Sequence, residues 1–319
     1  MSIYEKHKPL DFDKIETYDL HGRPSKVTIE DFAEDTFSSD SLSSFLGGIP
    51  RILGGAALRE LASRIVKARL DGKPVIWGIG GHVIKTGLSP VLIGLARRGY
   101  VSAVAVNGSV LVHDAEIALA GFTSEDVDAT LVKGDFGAAK QTGELINNAA
   151  NQGREAGIGL GEAVCGELTR LRPPHSAHSL LCETYQLKIP VTAHLTIGAD
   201  IGHFHPRTDG ASLGETSHID FRLFCSIVGE MDGGGVYLNF GSAVVLPEIF
   251  LKAVTVNRNL GNPLGSITTA NFDFIQHYRP LTNVVRRPTA NGAGKGFALT
   301  GHHEIMLPLL AAFLSKSER

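Results

Sequence analysis

Histidines offer the first candidate chemistry. His203-Phe204-His205 sets two imidazoles on one side of an extended segment, and His302-His303-Glu304 follows the end of a predicted strand. His113-Asp114 and His218-x-Asp220 add further imidazole–carboxylate pairs. Neutral imidazoles with a carboxylate suit zinc or another divalent metal, so His203, His205 and His303 are candidate ligands. The plainer reading is hydrogen-bonded polar residues at strand ends. H-x-H and H-H-E are short patterns that chance produces often, and H-E-x-x-H is missing.

Glycine-led turns offer the second. Gly78-Ile79-Gly80-Gly81, Asn107-Gly108-Ser109 and Gly241-Ser242-Ala243 each stand between an apolar run and a helical pattern. Glycine lets backbone N–H groups approach a phosphate, and a helix start adds partial positive charge. Tight strand-to-helix turns occur in any α/β protein, but three of them point towards a nucleotide or phosphorylated ligand. The G-x-G-x-x-G order of the dinucleotide fingerprint is absent. A third candidate is Asp209 in Thr208-Asp209-Gly210-Ala211-Ser212, either a plain turn or a loop carboxylate for an amine or a ribose hydroxyl.

The elements that must position these residues alternate strand and helix. Helical spacing over 56–70 leads to an apolar strand over 75–79, a helix over 88–98 and a second strand over 102–106. A mostly helical stretch covers 123–171. Further strands are expected at 190–197, 235–240, 266–269 and 296–300, with helices at 176–186, 216–230, 247–259 and 304–315. This rhythm predicts a doubly wound α/β fold on a mostly parallel, Rossmann-like sheet, with ligands at the carboxyl ends of the strands. Residues 1–45 read as an N-terminal extension and 46–319 as one α/β domain.

Composition narrows the partners. The 319 residues carry a formal net charge of -3 and no basic cluster, which argues against nucleic acid. No apolar run is long enough for a membrane span, and the first ten residues do not form a signal peptide. Cys165, Cys182 and Cys225 are scattered, as expected of buried thiols in a reducing, cytoplasmic setting.

From Gly78 to Leu314 the order of these motifs resembles deoxyhypusine synthase, a tetrameric enzyme that uses NAD to oxidise spermidine and transfer its aminobutyl group to a lysine. The matching pieces are Gly78 to Gly87 with Thr86-Gly87, Asn107-Gly108-Ser109 running to His113-Asp114, and Ile189-Pro190-Val191. They continue through Asp209 in its glycine-rich phrase, Gly234-Gly235-Val236 to Asn259, Thr268-Thr269-Ala270, and Ile305 to Leu314. The resemblance implies NAD held by Gly80, Thr86, Asn107, Gly108, Ser109, Asp114, Gly241, Ser242, Thr269, Ala270 and His302. It also implies Asp209, His113 and Glu248 as catalytic residues.

The chain departs from that pattern at three points. Arg286-Arg287 follow Arg279-Pro280 where the family has its imine-forming lysine, and arginine stays protonated and cannot form a Schiff base. Pro247-Glu248 replace a histidine, and His302 replaces an aspartate. The expectation is therefore an NAD-dependent transferase or oxidoreductase acting on a small amine or polyol without a lysine imine, in a homotetramer or dimer. The alternatives are a metal-dependent hydrolase or isomerase and a non-catalytic nucleotide-binding protein.

Overall fold

The computed structural model describes residues 10, 12–14, 16–19, 26–36 and 41–316, so the expected extension over 1–45 lies partly outside the described residues. Six strands form one sheet: β1 (Val75–Ile79), β2 (Ala103–Asn107), β3 (Val191–His194), β4 (Val236–Phe240), β5 (Thr268–Asp273) and β6 (Lys295–Thr300). Their spatial order is β3-β2-β1-β4-β5-β6, and every neighbouring pair is parallel. The sheet expected as mostly parallel is wholly so.

Helices α1 (Leu42–Gly48) and α2 (Leu53–Leu70) precede β1, and α3 (Gly81–Lys85) and α4 (Ser89–Arg97) join β1 to β2. Between β2 and β3 run α5 (Gly108–Ala120), α6 (Val127–Leu131), α7 (Lys140–Ala156), α8 (Leu160–Arg170) and α9 (Leu180–Gln186). Then α10 (Gly210–Gly229) leads to β4 and α11 (Val245–Asn259) to β5. Helix α12 (Tyr278–Pro280) continues as a π-helical turn, Leu281–Arg286, before β6, and α13 (His303–Lys316) closes the chain.

Strands β1 and β4 are buried along their whole length, as parallel strands covered on both faces must be. Side chains alternate between two cores. Trp77, Ile79, Leu238, Phe240 and Phe272 face the layer that includes α2, α4, α5 and α13, while Ile76 and Tyr237 face α10 and α11. Trp77, Phe240 and Phe272 stack across three adjacent strands, with ring centroids 5.4 and 4.2 Å apart.

The outer edge of β3 is closed by side chains. Asp220 Oδ2 accepts the Ala193 N–H at 2.8 Å and the Gly161 N–H at 2.7 Å. Ser217 Oγ donates to the Ala193 carbonyl and accepts the Leu195 N–H.

Strand β5 runs four residues beyond the 266–269 span expected from sequence. Polar Asn271 hides this continuation. Inside the sheet, Asn239 Nδ2 donates to Asn271 Oδ1 at 2.7 Å, and Asn271 Nδ2 donates to Gln276 Oε1 at 2.8 Å. This pairing gives both Asn271 amide atoms and the Asn239 amide nitrogen a partner, as buried polar groups need. Among the described residues no helix is long and apolar enough to cross a membrane.

Candidate functional site

In this strand order the crossovers leave β1 and β4 in opposite directions, and the crevice between their carboxyl ends is where such sheets take ligands. The two turns meet closely. Gly80 N–H donates to the Phe240 carbonyl at 2.8 Å, and a Cβ on Gly80 would lie 2.1 Å from the Gly241 carbonyl oxygen. A Cβ on Gly81 would lie 2.1 Å from Ser109 Oγ and 3.2 Å from His113 Cδ2. Gly241 has a φ of +67°, the left-handed region that glycine tolerates, and it faces buried His303. These glycines let protein segments touch one another.

The start of α5 completes the crevice. Asn107 caps it, its Oδ1 accepting the Val110 N–H. A Cβ on Gly108 would lie 2.5 Å from Asp200 Cγ and 2.7–2.8 Å from both its oxygens, so a carboxylate rests on the first residue of the helix. Asp200 also accepts the Thr196 N–H at 2.7 Å, and its burial raises its pKa above the ordinary carboxylate value. Helix starts favour negative charge. The carboxylate therefore stands beside the helix start, and a dinucleotide phosphate could use that helix start only by displacing it.

Beside this helix start lies a cavity of about 220 Å³, lined by Lys85, Ser109, His113, Glu116, Glu125 and Asp200 among others. His113 Nδ1 is 2.7 Å from Thr123 Oγ1, and the Thr123 hydroxyl donates to Glu116 Oε2 at 2.5 Å. Thr142 donates to Glu116 Oε1 at 3.3 Å. Burial, and then the nearby Lys85 cation, push the His113 pKa down to about 4, so the ring is neutral at pH 7.

The structure thus brings together Gly80, Asn107, Gly108, Ser109, His113 and Gly241 of the sequence candidates. The others stand elsewhere. Asp114 points away from the crevice and holds α9, accepting from the Ser179 hydroxyl and from the Leu180 and Leu181 N–H groups. Ser242 Oγ accepts the Leu246 N–H at the start of α11, and Thr86 donates back to the His82 carbonyl. Thr269 and Ala270 lie inside β5, Thr269 donating to the Val284 carbonyl, because the strand's carboxyl end is Asp273.

The proposed catalytic carboxylates are also engaged elsewhere. Asp209 caps α10, accepting from Ala211 and Ser212, and pairs with Arg154. None of these hydrogen bonds or ion pairs reaches Thr269 or the Asn107 turn. Glu248 sits in an ion cluster with Lys252 and Arg279 and accepts from Asn283 Nδ2. His302 is exposed and stacks on Phe274.

The metal set does not converge. His203 Nδ1 accepts the Gly198 N–H, His205 Nδ1 accepts the Arg207 N–H, and His303 is buried beneath Gly241 near the Phe272 carbonyl. Among the described residues no group of three or more His, Cys, Asp or Glu side chains is placed to hold a metal ion. Sequence reading missed Asp200, Lys85, Thr123 and Glu116. Only the His113-x-x-Glu116 spacing, which puts both side chains on one helix face, was legible beforehand.

The fold and crevice define a doubly wound, all-parallel α/β protein of the 3-2-1-4-5-6 strand order. Solved structures share this fold. A LOR/SDH protein from Methanococcus maripaludis S2 is 17% identical, with a TM-score of 0.55 over 84% of this chain and 71% of that one. AgrE in ternary complex with ornithine and NAD+ is 16% identical, with a TM-score of 0.51 over 82% of this chain and 33% of that one. The chain therefore spans about a third of AgrE. A deoxyhypusine synthase from Entamoeba histolytica matches at 10% identity and a TM-score of 0.49, over 89% of this chain and 96% of that one, too distant to establish a shared fold. No protein-family model matches the chain, and no curated protein matches it.

Proposed function

We propose that this chain is an NAD-dependent oxidoreductase or transferase of the deoxyhypusine synthase-like group, acting on a small amine or polyol without a lysine imine. The observation that carries the reading is the β1/β4 crevice, where the Gly80 and Gly241 turns touch and the Asp200 carboxylate rests on the start of α5. NAD would bring a hydride acceptor to this crevice. The residues expected to hold it are the backbone at Gly108 and Ser109, beside the Gly80 and Gly241 turns, whose own N–H groups are paired with the Phe240 and Phe272 carbonyls. Lys85 and neutral His113 would face the substrate. Ornithine and NAD+ accompany AgrE in its complex, which supports an amine as the substrate class here.

The imine is left out because Arg286 closes the π-helical turn and Arg287 donates to Asn283 Oδ1, with no lysine at either position. The test is titration calorimetry of NAD+ and NADH into the full chain, with hydrogen exchange followed at residues 80–83, 107–111 and 241–244. Binding that protects these turns is expected. No heat from either nucleotide at millimolar concentration, or protection confined elsewhere, overturns the proposal.

A further inference from the structure

We infer that His113, Thr123 and Glu116 form a proton relay, which takes a proton at His113 Nε2 from a hydroxyl or amino group of a small substrate in the α5 cavity and delivers it to the Glu116 carboxylate. The inference rests on the oxidoreductase reading above, since removing a hydride from an alcohol or amine carbon releases a proton from the attached oxygen or nitrogen.

Hydrogen-bond polarity sets the direction. A carboxylate only accepts, so the single Thr123 hydroxyl proton lies towards Glu116 Oε2. The Thr123 oxygen then has only lone pairs to offer His113 Nδ1, 2.7 Å away, and Nδ1 must carry the proton. In a neutral ring the other nitrogen is then a bare acceptor. Nε2 has no hydrogen-bond partner among the described residues, while His113 lines the cavity beside Ser109 and Lys85.

A relay also answers a difficulty that a lone histidine base would face. The ring is partly dehydrated and, to a lesser degree, sits beside the Lys85 cation, so it resists becoming imidazolium. In the relay it never has to. As the substrate X–H bond breaks and Nε2–H forms, the Nδ1 proton passes to Thr123 Oγ1 and the Thr123 hydroxyl proton passes to Glu116 Oε2. The imidazole ends neutral in its other tautomer, and the positive charge released with the proton is cancelled on Glu116. Thr142, donating to the other Glu116 oxygen, keeps that carboxylate oriented. Thr123 and Glu116 act through His113 and are positioning residues. The remaining charged groups at the cavity are Glu125, which accepts the Gly137 N–H, and Asp200.

The experiment uses the full chain without any nucleotide, so its outcome is independent of whether NAD binds. Nitrogen-15 NMR of labelled histidine at pH 7 reads which ring nitrogen of His113 carries the proton. The Nδ1–H tautomer is expected in the wild type. Glu116→Gln should invert it, because the new amide can donate to Thr123 and turn the hydroxyl proton towards Nδ1. Thr123→Val should abolish the preference and Thr123→Ser should restore it.

Diethyl pyrocarbonate serves as the second probe. It acylates Nε2 as the ethyl carbonate group leaves, and the Nδ1 proton must then depart. Carbethoxylation of His113, followed by peptide mass spectrometry, should slow by roughly ten- to a hundredfold in Glu116→Gln, at or below the usual range for general-base assistance. An Nε2–H ring in the wild type, or a tautomer and acylation rate unmoved by both Glu116→Gln and Thr123→Val, would overturn the relay.

Discussion

If NAD binds as proposed, neutralising Asp200 should strengthen that binding, because its carboxylate lies at the helix start that the pyrophosphate would need. Its oxygens lie 2.7 and 2.8 Å from the position a Gly108 Cβ would take, at the first residue of α5. An anion at a helix N-terminus gains roughly 0.3–1 kcal/mol from the unsatisfied N–H groups and the helix dipole. An arriving phosphate must displace the carboxylate and forfeit that interaction. Asp200→Asn keeps the shape and an oxygen that can accept the Thr196 N–H, but removes the charge. Removing it should therefore lower the Kd for NAD+ by about two- to fivefold, the equivalent of roughly 0.3–1 kcal/mol. Titration calorimetry at fixed, low ionic strength gives both constants, and adenosine, which has no phosphate, should bind the two proteins alike. An unchanged or weaker NAD+ affinity in Asp200→Asn would show that the carboxylate does not stand in the phosphate's place, and the reasoning would fail.

The His113 ring protons should titrate near pH 4 by NMR, far below an unperturbed histidine at about 6.5. Since the folded value lies below the unfolded one, the stability this gives is complete above about pH 6.5 and is lost as pH falls towards 4, a slope that His113→Gln should reduce. Asp220→Ala leaves the Gly161 and Ala193 N–H groups without their acceptor and should cost about 2–4 kcal/mol in urea denaturation. A cost below about 0.5 kcal/mol, the level of an ordinary surface change, would show that this carboxylate is dispensable. Sedimentation at micromolar concentration should show a dimer or tetramer, and a monomer alone would remove the oligomer from the proposal.

The parts of the fold legible in the sequence were those where burial writes an unbroken apolar run. Val75-Ile76-Trp77 ending in glycines gave β1 and its turn, and Asn107-Gly108 marked the junction of β2 with α5. The end of β5 was hidden because buried Asn271 accepts from Asn239 Nδ2 across the sheet and donates to Gln276, and such a pairing leaves no local trace. Asp209 had the residue type and setting of a ligand, but the same short carboxylate is what a helix start needs, and here it caps α10. Asp114 misled for a related reason, since its partners on α9 lie 65 residues and more away in the chain. His203 and His205 share a side only if the segment is extended. The chain turns there, and each ring accepts a nearby backbone N–H. Asp200 was invisible because only folding carries it to Gly108.

The closure of β3 by Asp220 and Ser217 has a bearing on how copies of the chain can meet. A sheet rim propagates when its outward N–H and C=O groups are free to recruit another strand. At Ala193 both groups already have intramolecular partners, so β3 offers little template for a stranger. Continuous growth of this sheet in both directions, the geometry of a fibril, is therefore blocked on one side by a carboxylate and a hydroxyl.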